Sequence, residues 1–172
     1  EHKAVRTAAG LFDISHMARV SFGGPDALTL LETVFTNSVG TMKDGQVRYG
    51  LICREDGGIL DDVLVYRWPY GYAMVVNASN HEKDVSWMKK QNTFGVEIID
   101  ETDQTAMIAV QGPRAKGLLA EHSDAFEDLT NAPLFGVIQA QIGGVGRHRV
   151  AQLIEGLTGS GGVSGLPLAF EL

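Results

Sequence analysis

The 172-residue sequence predicts an α+β fold of antiparallel sheets with packed helices, and three observations carry that prediction. Runs rich in β-branched and aromatic residues come as neighbours joined by short turns, as in VRYGLIC, REDGG and ILDDVLVYR. Segments with helical spacing stand between groups of strands instead of following every strand, which argues against a doubly wound parallel sheet. The order strand, Gly-Pro, helix occurs twice, at SFGGPDALTLL and AVQGPRAKGLL, which reads as a duplicated unit or as the coincidence of a short pattern.

The elements follow in order. Residues 1–9 read as the end of a helix stopped by Gly10. Residues 18–22 alternate as a strand, and after GGP the residues Ala27, Leu30, Leu31 and Val34 fall on one helical face within 26–35. Residues 47–53 and 59–67 form a hairpin about REDGG, and a third strand, 72–77, follows PYG. SNHEKDVSWMKKQ offers a polar start, early acids, Val85 and Met88 on one face and lysines at its end, the charge order of a surface helix. Strands are expected at 96–99 and 106–111, then a helix opened by Pro113 and running to about Glu121. Beyond Leu129 the periodicity decays, and residues 156–165 are expected to lack regular structure.

Composition narrows the function. The chain carries 14 Lys and Arg against 21 Asp and Glu, a net charge of -7, with no basic stripe interleaved with aromatics, so nucleic acid is not an expected partner. It is 44% hydrophobic but has no apolar run near the roughly 20 residues of a membrane-spanning helix, so no membrane partner is expected. Its single cysteine, Cys53, excludes an internal disulfide and a cysteine-cluster metal site, and suits a reducing compartment. The start at EHKAVRT, without Met and with no visible signal or transit peptide, reads as a fragment or a processed form.

Candidate chemistry begins with GGILDD. On a strand Asp61 and Asp62 point to opposite faces, so they do not form a dyad on one substrate. One carboxylate can face a pocket, hold an N–H-bearing ligand or accept a proton, while the bland reading makes both turn and edge acids. His16 with Asp13 could be an acid-base couple, although a structural histidine is the simpler reading. His16, His81, His122 and His148 are scattered singly, without metal-ligand spacing, and no metal is expected. Cys53 reads as a core residue. TGSGGVSG lacks the Gly-Lys-Ser/Thr ending of a phosphate loop and reads as linker. Tyr49, Tyr66 and Asn77, on the central strands, could line a planar ligand or simply pack.

Four blocks in order, GLFDISHMARVSFGGPDA, DGQVRYGLICREDGGILDDVLVY, MVVNASNHEKDVSWM and AMIAVQGPRA, resemble the aminomethyltransferase (T-protein) family of the glycine cleavage system over about residues 1–114. The resemblance implies transfer of a one-carbon unit from an aminomethyl-lipoyl carrier (H) protein to tetrahydrofolate, with release of ammonia. It implies two related β-α-β-β-type units, one over residues 18–103 that contributes most of the folate pocket and one from 1–17 plus 104–172, with the family's C-terminal barrel-like domain absent. Asp62 matches the family's functional aspartate beside folate, and Asp61 is its structural neighbour. Met17, Tyr49, Leu64, Tyr66, Val75 and Asn77 match positions lining the folate pocket, and Glu171, in FEL, matches a folate-binding glutamate. The family's RTGYTGEDGFEL-type segment corresponds here to a stretch that keeps only FEL. Folate, a lipoylated carrier protein and a bacterial cytoplasm or mitochondrial matrix are the implied setting. The alternatives are a folate-dependent demethylase of the same superfamily, a non-catalytic folate-binding or iron-sulfur-maintenance relative, and an inactive fragment.

Overall fold

The structure, a computed structural model, describes residues 1–131, 136–152 and 168–171, with side chains described for 1–131 and 136–144. Residues 156–165, and with them the TGSGGVSG stretch, lie outside the described residues. The elements in chain order are α1 (His2–Thr7), β1 (Gly10–Asp13), β2 (Ala18–Gly23), α2 (Ala27–Val34), β3 (Gln46–Cys53), β4 (Ile59–Trp68), β5 (Gly71–Val76), α3 (His81–Gln91), β6 (Glu97–Asp100), β7 (Met107–Gln111), α4 (Ala115–Glu121), α5 (Phe126–Asn131), β8 (Gly136–Ile142), β9 (Val145–Gln152) and β10 (Leu168–Glu171). They form two compact units, His16–Gln104 and Glu1–Ser15 with Thr105–Leu172. Both are α+β with antiparallel strand pairing.

In the unit His16–Gln104 the strand order is β3-β4-β5-β2-β6, each neighbouring pair antiparallel. Alternation along the strands gives this sheet one strongly apolar face. Val20, Phe22, Ile52, Val63, Val65, Met74 and Val76 from the strands bury against Leu30 and Leu31 of α2 and Val85 and Met88 of α3. Each fully buried Leu or Val contributes roughly 1.5–3 kcal/mol, so this core dominates the unit's stability. Gly50 of β3 admits the end of α2: a Cβ there would stand 2.5 Å from the Phe35 ring. The β3–β4 turn closes through Arg54 N–H to Gly58 O (2.8 Å) and Gly58 N–H to Asp56 Oδ1 (2.9 Å), with Gly57 at φ +83°, a conformation that disfavours residues with a Cβ. That turn sets the register of β4, and with it the faces of Asp61 and Asp62.

Two expectations are corrected in this unit. Cys53 ends β3 half-buried beside Arg54, lining a hollow of about 310 Å³ with Thr33, Phe35 and Trp87, because it closes the strand one residue past Ile52, the last core residue of β3, and out of phase with it. The acid Asp84 of α3 is not a surface charge near the helix start but is wholly buried with Val85 and Met88.

In the other unit the order is β1-β7-β10-β9-β8, again antiparallel. Val110, Ala115, Leu119, Ala120, Leu129 and Ala140 form its core. The decay of pattern after Leu129 conceals a hairpin: β8 and β9 meet at Gly143-Gly144, and a register shift between Ala140 and Ile142 breaks the alternation along the strand. In both units a strand runs into Gly-Pro and a helix begins two residues after the proline, at Ala27 and at Ala115.

Candidate functional site

The face of the β3-β4-β5-β2 sheet opposite the helices gathers most of the residues singled out in the sequence. Directly opposed residues on antiparallel strands share a face, and the registers Tyr49–Leu64, Leu64–Val75 and Val75–Arg19 set these four in one row across the sheet. Asp62 and Tyr66 flank Leu64 at two-residue spacing along β4, so they project to the same side. Asn77 follows β5 directly, where the same register carries it opposite Asp62. Leu64 is half-buried, Val75 and Tyr66 are buried, Tyr49 is 45% exposed, and Asp62 is exposed. The result is an apolar floor with a phenol at one side and a carboxylate and an amide at the strand ends.

The GGILDD acids divide between the two faces. Asp61 points into the helix side and is 4% exposed; Asp62 points to the open face. Asn77 joins them across the strand edge. Its backbone N–H donates to Asp61 Oδ2 at 3.0 Å, and its Nδ2 donates to Asp61 Oδ1 at 2.9 Å, to Asp62 O at 3.0 Å and to Asp62 Oδ1 at 3.2 Å. The amide orientation is dictated, since the opposite one would set an oxygen against three acceptors. One hydrogen serves Asp61 and the other is shared by Asp62 O and Oδ1. The remaining Asp62 oxygen accepts from no described residue, and the side chain is exposed.

Asp61 also accepts from Asn80 Nδ2, and Asn80 is held by Lys83 Nζ, which donates to Asn80 Oδ1 at 2.8 Å and to Leu60 O at 2.6 Å. Burial opposes ionisation of Asp61. Donation from the Asn77 side chain and N–H, from Asn80 and from Asp84 outweighs it and holds the carboxyl below the usual carboxylate range. Asp61 is therefore an anchored anion that orients Asn77.

Met17 lies half-buried just before β2, with its carbonyl bound by the Arg19 guanidinium, which also binds Thr102 O. Arg19 is 2% exposed on the row of Tyr49, Leu64 and Val75. Thr102 in turn donates through its N–H and hydroxyl to Asp100, whose other oxygen meets His81 Nε2. Burial raises the Asp100 carboxyl, but the Thr102 and His81 bonds more than compensate and hold it low.

Seven expected site residues thus fall in the unit His16–Gln104. Glu171 falls in the other, on β10, where its backbone stands opposite Met107 of β7 and Arg149 of β9, and its side chain is outside the described residues. Asp13 Oδ1 accepts Ser15 N–H at 2.9 Å, the geometry of a local turn, and His16 is exposed. Sequence reasoning missed Arg19 and Asp84. Arg19 occupies the polar phase of ARVSF, where nothing in the pattern signals burial; Asp84 falls one residue before Val85 and four before Met88, on the buried stripe of α3.

The GCVT N-terminal domain family model matches residues 1–162. The chain belongs to this GCVT family. It is 46% identical over 126 residues to the aminomethyltransferase of Bacillus subtilis (strain 168), covering 73% of this chain and 35% of that protein. The aminomethyltransferase of Streptomyces coelicolor (strain ATCC BAA-471 / A3(2) / M145) is 44% identical over 147 residues, 84% of this chain and 39% of its own. The chain thus spans little more than a third of the length of these curated relatives. Among solved structures, the glycine cleavage system aminomethyltransferase T from Bartonella henselae superposes with a TM-score of 0.78 at 26% identity, covering 99% of this chain and 43% of that one. The heterotetrameric sarcosine oxidase from Corynebacterium sp. U-96 shares the fold at a TM-score of 0.63 and 10% identity, covering 98% of this chain and 78% of that one. The GCVT chain is homologous to aminomethyltransferases, and its GGILDD acids, Asn77 and the row from Tyr49 to Arg19 all lie within the matched span.

Proposed function

We propose that this chain is the folate-binding part of an aminomethyltransferase, which moves a one-carbon unit from an aminomethyl-lipoyl carrier protein to tetrahydrofolate and releases ammonia. The observation that carries the proposal is the grouping of Tyr49, Asp62, Leu64, Val75 and Asn77 on one sheet face, with an Asp62 oxygen that accepts from no described residue. A reduced pterin is flat, apolar on its faces and edged by N–H donors. An aliphatic floor with a carboxylate at its rim suits that chemistry.

Bound folate supplies the ring nitrogens that receive the carbon. The chain's residues position and polarise. Leu64 and Val75 give a flat support, and Tyr49 offers its phenol at one side. Asp62 holds a ring N–H, stabilises positive charge that develops as the amine departs, and can take up or return a proton at its free oxygen. Asn77, fixed by Asp61, keeps that carboxylate in one orientation. Met17, tied down by Arg19, closes the edge of the site.

Titration calorimetry with tetrahydrofolate tests the reading. Saturable binding is expected, weakened about tenfold or more in Asp62→Asn, a loss of about 1.4 kcal/mol. A folded chain that takes up no reduced folate, or an Asp62→Asn variant that binds as tightly as the parent, would sink it.

A further inference from the structure

Asp84 sits in the first turn of α3 with no exposed surface, and neither of its oxygens meets an N–H or O–H donor among the described residues. A buried ionised carboxylate in that position would be costly. The groups that face it are Asp61 from β4 and Lys83 from its own helix. The Lys83 ammonium is 3.9 Å from Asp84 Oδ1 and is already committed to Leu60 O and Asn80 Oδ1. Asp61, in contrast, is a pure acceptor, with three N–H groups pointing at it from Asn77 and Asn80. Two carboxyls in contact are compatible only if one carries a proton, and the donors around Asp61 assign that proton to Asp84.

We propose that Asp84 is a positioning residue: its protonated carboxyl donates to Asp61, and through Asp61 and Asn77 it fixes the carboxylate of Asp62 at the open face. The relay is continuous in the fold. It runs from α3 through β4 to the residue after β5 and back to β4, and each link beyond Asp84 is a hydrogen bond of ordinary length. The inference rests on the folate reading only in what Asp62 finally touches; the proton sharing stands apart from it.

Burial, then the contact and charge of Asp61, push the Asp84 carboxyl up to about 7, against the weaker opposing pull of Lys83. Ionisation near neutral pH therefore breaks its bond to Asp61 and adds a second negative charge beneath Asn77. Asp84→Asn keeps the shape and a donor for Asp61 but cannot ionise. Asp84→Ala removes the donor altogether.

The test is carbon-detected NMR of the full 172-residue chain labelled at aspartate carboxyls, with the Asn77 side-chain amide followed alongside, both without folate. One aspartate carboxyl should titrate near neutrality and be missing from Asp84→Asn, and the Asn77 amide should shift with the same midpoint in the parent and stay fixed in the variant. Absence of such a carboxyl, or an Asn77 amide indifferent to it, overturns the proposal. Folate calorimetry gives a second reading. Parent affinity should fall about tenfold from about pH 6 to about pH 8, Asp84→Asn should hold the low-pH affinity throughout, and Asp84→Ala should be weak at both. If Asp84→Ala does not fold, the parent and Asp84→Asn decide alone, and equal pH profiles for the two count against the relay. Failure of folate to bind while the NMR titration and its link to Asn77 persist leaves the relay standing and removes the folate reading.

Discussion

At the residue scale, the two acids of GGILDD are separated by burial. Asp61 is a hydrogen-bonded anion under the sheet and Asp62 an exposed carboxylate above it, so neighbouring positions with identical chemistry take different work. Replacement should reveal this as opposite losses. Asp61→Asn turns an acceptor of three N–H groups into an amide that must present a donor to some of them. Its stability in urea should fall by about 3 kcal/mol or more, the range for breaking a buried charge network. Asp62→Asn should change stability by less than about 0.5 kcal/mol, as an exposed substitution does, while carrying the folate defect. Equal stability losses for the two variants would contradict the division. Asn77→Ala should show both effects, since it removes the side-chain donor shared by Asp61 and the Asp62 carboxylate; about 1–3 kcal/mol is the expected cost of the donor lost.

At the element scale, the hairpin β3–β4 determines which of its own residues reach the open face, because a shift of one residue in its register would exchange Asp61 for Asp62 and Val65 for Tyr66. Gly50 holds α2 against that hairpin. Gly50→Ala places a methyl 2.5 Å from the Phe35 ring and should destabilise the chain by about 1–3 kcal/mol, read as a lower urea midpoint at unchanged slope. The long elements here were legible in the sequence because composition and turn chemistry agreed: VRYGLIC, ILDDVLVYR and YAMVV are rich in β-branched and aromatic residues, and REDGG supplies the positive-φ glycine. The elements that escaped are those where a second influence competes. β1 is four residues long and exposed at three of them, α5 is six residues long, and β8 carries a register shift that cancels its alternation. Asp84 and Arg19 escaped for a related reason. A charged residue at a buried position has no signature in composition, and only the three-dimensional partners distinguish it from a solvated one.

At the scale of the whole molecule, two further properties follow from groups already placed. The unit containing β7 exposes Leu11 (69%) and Leu118 (36%) around an apolar hollow of about 390 Å³, lined also by Val110, Leu119 and Ile142. Exposed apolar concavities take up hydrophobic dyes. Anilinonaphthalene sulfonate should fluoresce with the folded chain and lose much of that signal in Leu118→Lys; a parent without dye uptake would show the hollow to be closed in solution.

The stability of the folded chain should also run opposite to the usual acid pattern over part of the pH range. Asp61 and Asp100, held low in the fold, contribute stability that is present above the unfolded carboxylate value near 3.8 and lost as pH falls through their lower folded values. Asp84 has the reverse sign. Its carboxyl is raised to about 7, so its contribution is complete below 3.8 and is lost as pH rises to about 7. Stability should therefore climb from strong acid to a maximum near the ordinary carboxylate range and then decline toward neutrality. The decline has an upper bound of a few kcal/mol, since a tenfold difference in proton affinity between the folded and unfolded chain corresponds to about 1.4 kcal/mol. Urea unfolding at about pH 5 and about pH 8 measures it directly. Asp84→Asn removes the titrating proton while keeping the bond to Asp61, so the stability advantage of the variant over the parent should grow from the lower pH to the higher. A parent whose stability rises steadily from pH 5 to pH 8, with Asp84→Asn following the same curve, would mean that the buried acid of α3 is ionised throughout and that its charge is met by something other than a shared proton.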